Sequence, residues 1–173
     1  TLPGYRHAAE NLYINPAVDT LIVSKIKASC KPELRGRYRY SDTNFYILRQ
    51  IVEEITGESF YDYTRGLFDM LGMASTGFCP LEWTSPERII PTEMDYMMRR
   101  GLLRGYVHDD LAALNGGVGG NAGLFATAAD LGRFCQMMLG NGMFEGERVL
   151  SQRTVQIFTG SPLKARSIFR GLG

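Results

Sequence analysis

From Asp42 to Thr56, apolar side chains recur at steps of three and four: Phe45, Leu48, Ile51, Val52 and Ile55. That period predicts a helix with one apolar stripe. Ser41 or Asp42 supplies a capping oxygen at its start, and Gly57 suits the left-handed turn that ends a helix. A second helix follows at once. Ser59-Phe60-Tyr61-Asp62 fits the capping-box spacing, Phe60, Tyr63, Leu67 and Phe68 form its apolar face, and it ends near Leu71-Gly72. Two helices joined this tightly should pack on each other. A third helix is capped by the Thr127-to-Asp130 stretch. Its stripe is Leu131, Phe134, Cys135, Met138 and Leu139, and Gly140-Asn141-Gly142 stops it.

Weaker patterns fill in the rest. Val18, Leu21, Ile22, Val23 and Ile26 predict a short helix over 17–29, after an irregular start containing Pro3, Gly4 and Pro16. Glu145-Gly146-Glu147 reads as a turn with Arg148-Val149-Leu150 returning, and Ser151 caps a short helix through Phe158. Residues 72–120 carry no convincing period, yet Phe78, Trp83, Ile89, Leu103 and Tyr106 argue that they are ordered and packed. An aperiodic stretch of that length inside a domain is usually functional or disordered. The pattern as a whole is mainly α, with about five helices, one long ordered excursion, little sheet and no internal repeat.

Composition narrows the class. The chain has 173 residues, 45% hydrophobic and 21% charged, which suits a packed domain rather than a disordered one. Nineteen basic and eighteen acidic residues leave a net charge of +1, so no electrostatic footprint for nucleic acid is present. Cys30, Cys79 and Cys135 are far apart and odd in number, which argues against a disulfide framework or a CxxC metal site. Only His7 and His108 are available for a histidine site, and no cofactor is implied. Cys135, on an apolar helical stripe, reads as a buried small hydrophobe. No apolar run reaches the ~18 residues of a transmembrane helix. The absence of an initiator Met, and the unpunctuated Arg170-Gly171-Leu172-Gly173 end, suggest a piece of something longer.

Three stretches carry candidate chemistry. Gly117-Val118-Gly119-Gly120-Asn121-Ala122 matches G-x-G-x-x-[GA], but no β-branched run precedes it and the next helix begins only at Thr127. A tight backbone turn explains it better than a nucleotide cradle. His108-Asp109 has the residue types of a general base and its orienting carboxylate, although adjacent residues rarely face each other that way. Tyr40-Ser41-Asp42 reads as an aromatic residue before a helix cap. A free phenol, with a pKa near ~10, serves as a base only when its anion is stabilised. A helix N-terminus supplies part of that stabilisation, and a lysine would supply more.

Taken together the stretches resemble a known family. Tyr40-Ser41-Asp42, the I-V-E-E-I-T-G helix end at 51–57, and the L-G-M-x-x-T-G-F segment at 71–78 occur in order. The V-H-D-D-L-A-A-L-N-G-G-V-G-G-N-A-G-L-F-A-T-A-A-D-L segment at 107–131 completes the pattern. The chain resembles the serine β-lactamase-related family of class C β-lactamases, penicillin-binding proteins and related esterases. It is most similar to β-lactamase-like domains of Bacteroidetes, some fused to a glycoside hydrolase. The resemblance runs over roughly residues 10 to 173 and implies acyl-enzyme chemistry by the Ser of an S-x-x-K motif. It places Tyr40 as general base, its pKa lowered by the motif's Lys, with Asp42 and Asn121 at substrate-binding positions.

The departures are specific. No S-x-x-K precedes Tyr40, since Ser24-Lys25 and Ser29-Cys30-Lys31 have the wrong spacing. Ser161-Pro162-Leu163-Lys164 fits the pattern, but it follows the last helix and contains Pro162, so it is a coincidence. No K-T-G or H-T-G occurs. Asp42 takes the third position of a Y-x-N-type motif, and an ionised carboxylate cannot donate to a substrate carbonyl as an amide does. Asn121 stands where many relatives carry His; Asn also tolerates positive φ in a glycine turn.

The expectation is therefore that residues 1–173 form a single partial domain, with flanking parts missing at both ends. It would be the helical lobe, with long ordered loops, of the α+β β-lactamase/transpeptidase-like fold, most of the sheet being absent. The parent would be a periplasmic or cell-surface serine hydrolase acting on a β-lactam, a peptidoglycan peptide or an ester. This piece alone would be inactive, and as a truncated lobe it would be less stable or self-associate. The competing expectation is a non-catalytic cell-wall-binding or structural domain that keeps the fold.

Overall fold

The computed structural model of the chain describes residues 4–9, 11–34, 40–160, 163–165 and 168–170. It is mainly helical, with six α-helices among the described residues and only two-stranded sheets. The chain divides into two units: Thr1–Tyr63 with Gly77–Phe125, and Thr64–Thr76 with Ala126–Gly173.

The first unit opens on a hairpin, β1 (Arg6–Ala9) against β2 (Leu12–Ile14), in a stretch the sequence pattern assigned to irregular chain. The strands are too short for alternation to stand out, but Leu12 and Ile14 face inward with exposed Tyr13 between them. Both pack with Val107, Ala112 and Ala113 into one core cluster. Helix α1 (Val18–Ser29) has no buried residue, whereas α2 (Thr43–Thr56) buries Tyr46 and Arg49. Gly57, at φ 73°, ends α2 with its N–H on the Glu53 carbonyl.

Most of the apolar stripe of α2 points outward, with only Phe45 and Val52 half-buried. Leu48, Ile51 and Ile55 are 51%, 45% and 78% exposed. The inward face is polar because Asp19 of α1 gathers it. Tyr46 Oη donates to Asp19, Arg49 Nη2 reaches Asp19 Oδ1 at 3.3 Å, and Gln50 Nε2 donates to Oδ2 at 3.2 Å.

The excursion after residue 72 is ordered, as expected, but it contains elements that no period announces. They are short 3-10 turns at Pro80–Glu82 and Pro86–Arg88, the hairpin β3 (Glu93–Asp95) with β4 (Gly101–Leu103), and α4 (Asp110–Leu114). Arg99 ties the hairpin to the segment that enters α4 and is 1% exposed. Its Nε donates to Asp95 Oδ2 at 2.6 Å, Nη1 to the Val107 carbonyl at 2.6 Å and Nη2 to the His108 carbonyl at 2.9 Å. Asp95 also accepts from the backbone N–H groups of Met97, Met98 and Arg99. The Arg99 guanidinium and these donors hold the Asp95 carboxyl well below the usual carboxylate range.

Helix α3 (Phe60–Met70) begins in the first unit and ends in the second. Its entry is the capping arrangement read from sequence, with Ser59 Oγ accepting from Asp62 N at 3.1 Å. The junction after α2 is made by Glu53 Oε1, which accepts from Phe60 N at 2.9 Å. In the second unit, α5 (Ala128–Leu139) is capped by Thr127, whose Oγ1 accepts from Asp130 N. The hairpin β5 (Met143–Phe144) with β6 (Glu147–Arg148) follows, then α6 (Gln152–Thr159), capped by Ser151. Strands β7 (Leu163–Ala165) and β8 (Ile168–Arg170) pair antiparallel; Ser161 and Pro162 lie outside the described residues. The core here is Phe68, Leu71, Met73, Met137 and Phe144.

Cys135 is exposed, not buried as expected from its stripe. The inward face of α5 instead runs through Asp130, Phe134, Met137 and Met138, leaving Leu131 and Leu139 at 49% and 84% exposure. Buried Asp130 selects that phase, because its Oδ2 accepts from Ser75 N at 2.8 Å and Thr76 Oγ1 at 2.9 Å.

Candidate active site

Asp42 occupies the N-cap position of α2, with φ −69° and ψ −21°, yet its side chain makes no capping bond. The carboxylate is engaged elsewhere: the Tyr40 phenol donates to Asp42 Oδ1 at 2.9 Å. Tyr40 is 67% exposed. That hydrogen bond, then the Asp42 charge, a little desolvation and the Asp109 charge push the Tyr40 pKa up. In this arrangement Tyr40 is a proton donor. To work as a base it must trade the carboxylate for a cation.

The glycine run lies against the first turns of the same helix. A Cβ at Gly120 would overlap the Phe45 carbonyl oxygen, and one at Gly123 would overlap the Gly117 carbonyl. Asn115 fastens the run, accepting from Arg49 Nη2 at 3.3 Å and donating to the Val118 carbonyl at 2.6 Å. The run follows α4 rather than a strand, and α5 starts only at Ala128, so the context of a dinucleotide cradle is missing. Close backbone approach is what these glycines permit.

Asn121 follows Gly120 in the run. It is not one of the positive-φ residues; in this run Gly116, Gly117 and Gly123 take that conformation, which removes the backbone reason for an asparagine at 121. Its Oδ1 is buried and has no hydrogen-bond partner among the described residues. A buried amide oxygen of that kind is costly unless a ligand, water or another segment donates to it. The structure thus joins Tyr40 to Asp42. Asn121 sits beside the residue that packs on Phe45, but among the described residues it bonds to neither Tyr40 nor Asp42.

His108 and Asp109 do not form a base–carboxylate pair. Asp109 Oδ1 caps α4 by accepting from Ala112 N at 2.7 Å, while His108 Nδ1 lies 2.9 Å from Glu93 Oε2. No group of three or more His, Cys, Asp or Glu side chains is placed to hold a metal ion among the described residues. The residues that sequence reasoning missed are the positioning groups: half-exposed Asp19 and buried Arg49 and Arg99. Only the i,i+4 spacings of Arg49 with Glu53 and of Asp95 with Arg99 are local signals for them.

Comparison with known proteins gives this geometry a context. The model of the family described as Beta-lactamase matches residues 7–169. A putative D-alanyl-D-alanine carboxypeptidase of Escherichia coli strain K12 is 33% identical over 139 residues, covering 73% of this chain and 32% of its own length. A protein of the same description from Salmonella gallinarum is 30% identical over 167 residues, 89% of this chain and 38% of its own. An N-acetylmuramyl-L-alanine amidase of Bacillus subtilis is 32% identical over 136 residues, 71% of this chain and 31% of its own. The chain therefore spans about a third of the length of the curated relatives it matches.

Proposed function

The chain belongs to the Beta-lactamase family, and from that membership we propose that it is the helical lobe of a serine hydrolase working through an acyl-enzyme. In this reading residues 1–173 are a single partial domain. The nucleophilic Ser and its Lys come from another part of a longer protein at the periplasmic or cell-surface side. The substrate is a peptidoglycan peptide, a β-lactam or an ester. The names carried by the carboxypeptidase and amidase relatives favour the peptidoglycan class.

The observation that carries the proposal is the Tyr40–Asp42 pair at the start of α2, with the glycine run packed against that helix. When an ammonium group sits beside the phenol, its charge opposes that of Asp42 and lowers the Tyr40 pKa. Tyr40 then takes the proton of the serine hydroxyl as Oγ attacks the substrate carbonyl, and returns it to the leaving group. Water releases the acyl group in the second half-reaction. Asp42, as an acceptor, recognises an N–H or ammonium group of the substrate rather than a carbonyl. In this reading the unpartnered, buried Oδ1 of Asn121 is a second acceptor, within the glycine run.

The test is covalent labelling. A longer protein that contains this chain and an S-x-x-K serine should form a stable adduct with a labelled penicillin, seen by intact mass. The 173-residue chain alone should form none and should not turn over a chromogenic cephalosporin. Turnover by the isolated chain would sink the assignment of the nucleophile to another segment. A second reading, a non-catalytic cell-wall-binding domain, draws on the fact that Tyr40 is held as a donor with its pKa raised. No adduct from a longer protein with an intact S-x-x-K would favour it.

A further inference from the structure

Midway along α2, Arg49 is only 9% exposed, a depth arginines seldom reach unless they are paired. Its Nη1 donates to Glu53 Oε1 at 3.2 Å, and that same oxygen accepts from Phe60 N at the entry of α3. Its Nη2 serves two partners at 3.3 Å each, Asp19 Oδ1 of α1 and Asn115 Oδ1 at the end of α4. Nε is buried with no partner among the described residues. A buried N–H left unpaired is costly, so what the guanidinium contributes here lies in the grip of its two outer nitrogens.

The Asn115 contact leads into the glycine run. An amide carries its acceptor on one side and its donors on the other. With Oδ1 turned to the guanidinium, Asn115 Nδ2 faces the Val118 carbonyl and donates to it at 2.6 Å. The Gly119 N–H then closes on the Ala122 carbonyl at 3.2 Å. Within that turn, Asn121 Oδ1 lies 2.9 Å from the place a Cβ on Gly119 would take. The stem of Arg49 also meets the run, since a Cβ on Gly120 would come within 3.2 Å of Arg49 Cβ. One side chain thus bears on the run twice, by its head through the Asn115 amide and by its stem directly.

We propose that Arg49 is a positioning residue for substrate recognition: through Asn115 it fixes the glycine run, and with it the Asn121 Oδ1 acceptor, against the helix that Asp42 opens. This rests on the reading of Asn121 as a substrate acceptor. Arg49 acts through Asn115 and the run and does not itself touch substrate. A lysine cannot replace it, because one ammonium does not hold Asp19, Glu53 and Asn115 in the fixed geometry of a planar fork. A hydrogen bond weakens steeply once its acceptor leaves the right distance and line. Binding strength therefore reports how firmly the run is held, whereas the proton transfer at Tyr40 does not.

Asn115→Ala cuts the relay while leaving the pairs of Arg49 with Asp19 and Glu53 in place. In the 173-residue chain it should raise amide hydrogen exchange at Gly119, read by NMR, about tenfold or more, with the amides of α2 unchanged. In a longer protein that contains this chain and an S-x-x-K serine, Asn115→Ala should raise the benzylpenicillin concentration for half-maximal acylation about tenfold, with the limiting rate within about twofold. Arg49→Met and Arg49→Lys should both show the same split. Asn121→Ala should match it, and Asn115→Ala added to Asn121→Ala should weaken binding no further, because both act through one acceptor. Unchanged exchange at Gly119 in Asn115→Ala, or losses from Asn115→Ala and Asn121→Ala that simply multiply, would overturn the proposal. A longer protein that is not acylated at all would count against the hydrolase reading instead, and the exchange measurement would still decide whether Arg49 and Asn115 fix the run.

Discussion

Replacing Arg99 with Met should unfold the first unit far more readily, and the size of the effect follows from its surroundings. The guanidinium is 1% exposed and makes three hydrogen bonds of ordinary length, to Asp95 Oδ2, the Val107 carbonyl and the His108 carbonyl. Hydrogen bonds to charged groups contribute about 1.5–3 kcal/mol each. Against that gross loss stands the desolvation of Arg99, which the Met variant no longer suffers. Met keeps most of the packing volume, while the carboxylate of Asp95 loses its counter-charge inside the fold. Breaking one side of a buried pair costs about 3–5 kcal/mol net. For a chain of this size that lowers the thermal midpoint by roughly 6–20 °C.

Trp83 is the only tryptophan and lies in the same unit, so urea unfolding followed by its fluorescence reads the affected region. The difference should also shrink in acid. Asp95 has a folded pKa held below the usual range, so its contribution is fully present above ~4 and fades as pH falls through the folded value. A variant within about 0.5 kcal/mol of the parent at neutral pH would refute the idea that Arg99 orders the excursion.

Three further outcomes follow. Met137→Ala should cost about 2–5 kcal/mol in chemical denaturation, because Met137 is fully buried in the core of the second unit. Cys135→Ala, one helical position class away and exposed, should stay within about 0.5 kcal/mol. Asp42→Asn should lower the Tyr40 pKa toward the ordinary ~10, since the ionised Asp42 acceptor is the main cause of its rise. Ultraviolet titration of the phenols with Tyr40→Phe as reference shows the shift. With the pKa raised in the folded state, the Tyr40 contribution to stability holds below ~10 and is lost as pH climbs through the folded value.

The ends of helices were legible because caps are local. Gly57, Ser59, Thr127 and Ser151 each do in the structure what their residue type implied. The direction a helix faces was not. The Leu48, Ile51 and Ile55 stripe is solvent-facing because Asp19 draws the opposite face inward, a partnership made across distant positions. Helix α5 is similar, its phase chosen by a buried Asp130 that accepts from Ser75 and Thr76. The excursion lacked a period because its buried apolar side chains, such as Phe78, Ile89, Leu103 and Val107, come singly from short turns and strands, with the Arg99–Asp95 pair and its backbone partners between them. At the site, Tyr40 and Asp42 were legible as neighbours. That Asp42 abandons the cap to bind the phenol, and that Glu93 rather than Asp109 meets His108, needed the folded chain.

The claim that Tyr40 is the base of an acyl-transfer enzyme rests on one comparison: the rate at which a labelled penicillin acylates the longer protein containing this chain, against its Tyr40→Phe variant. Loss of a general base predicts a fall of about 10²–10⁴-fold in that rate, with the fold and the non-covalent binding of the probe retained. Equal acylation rates in the two proteins would contradict the claim.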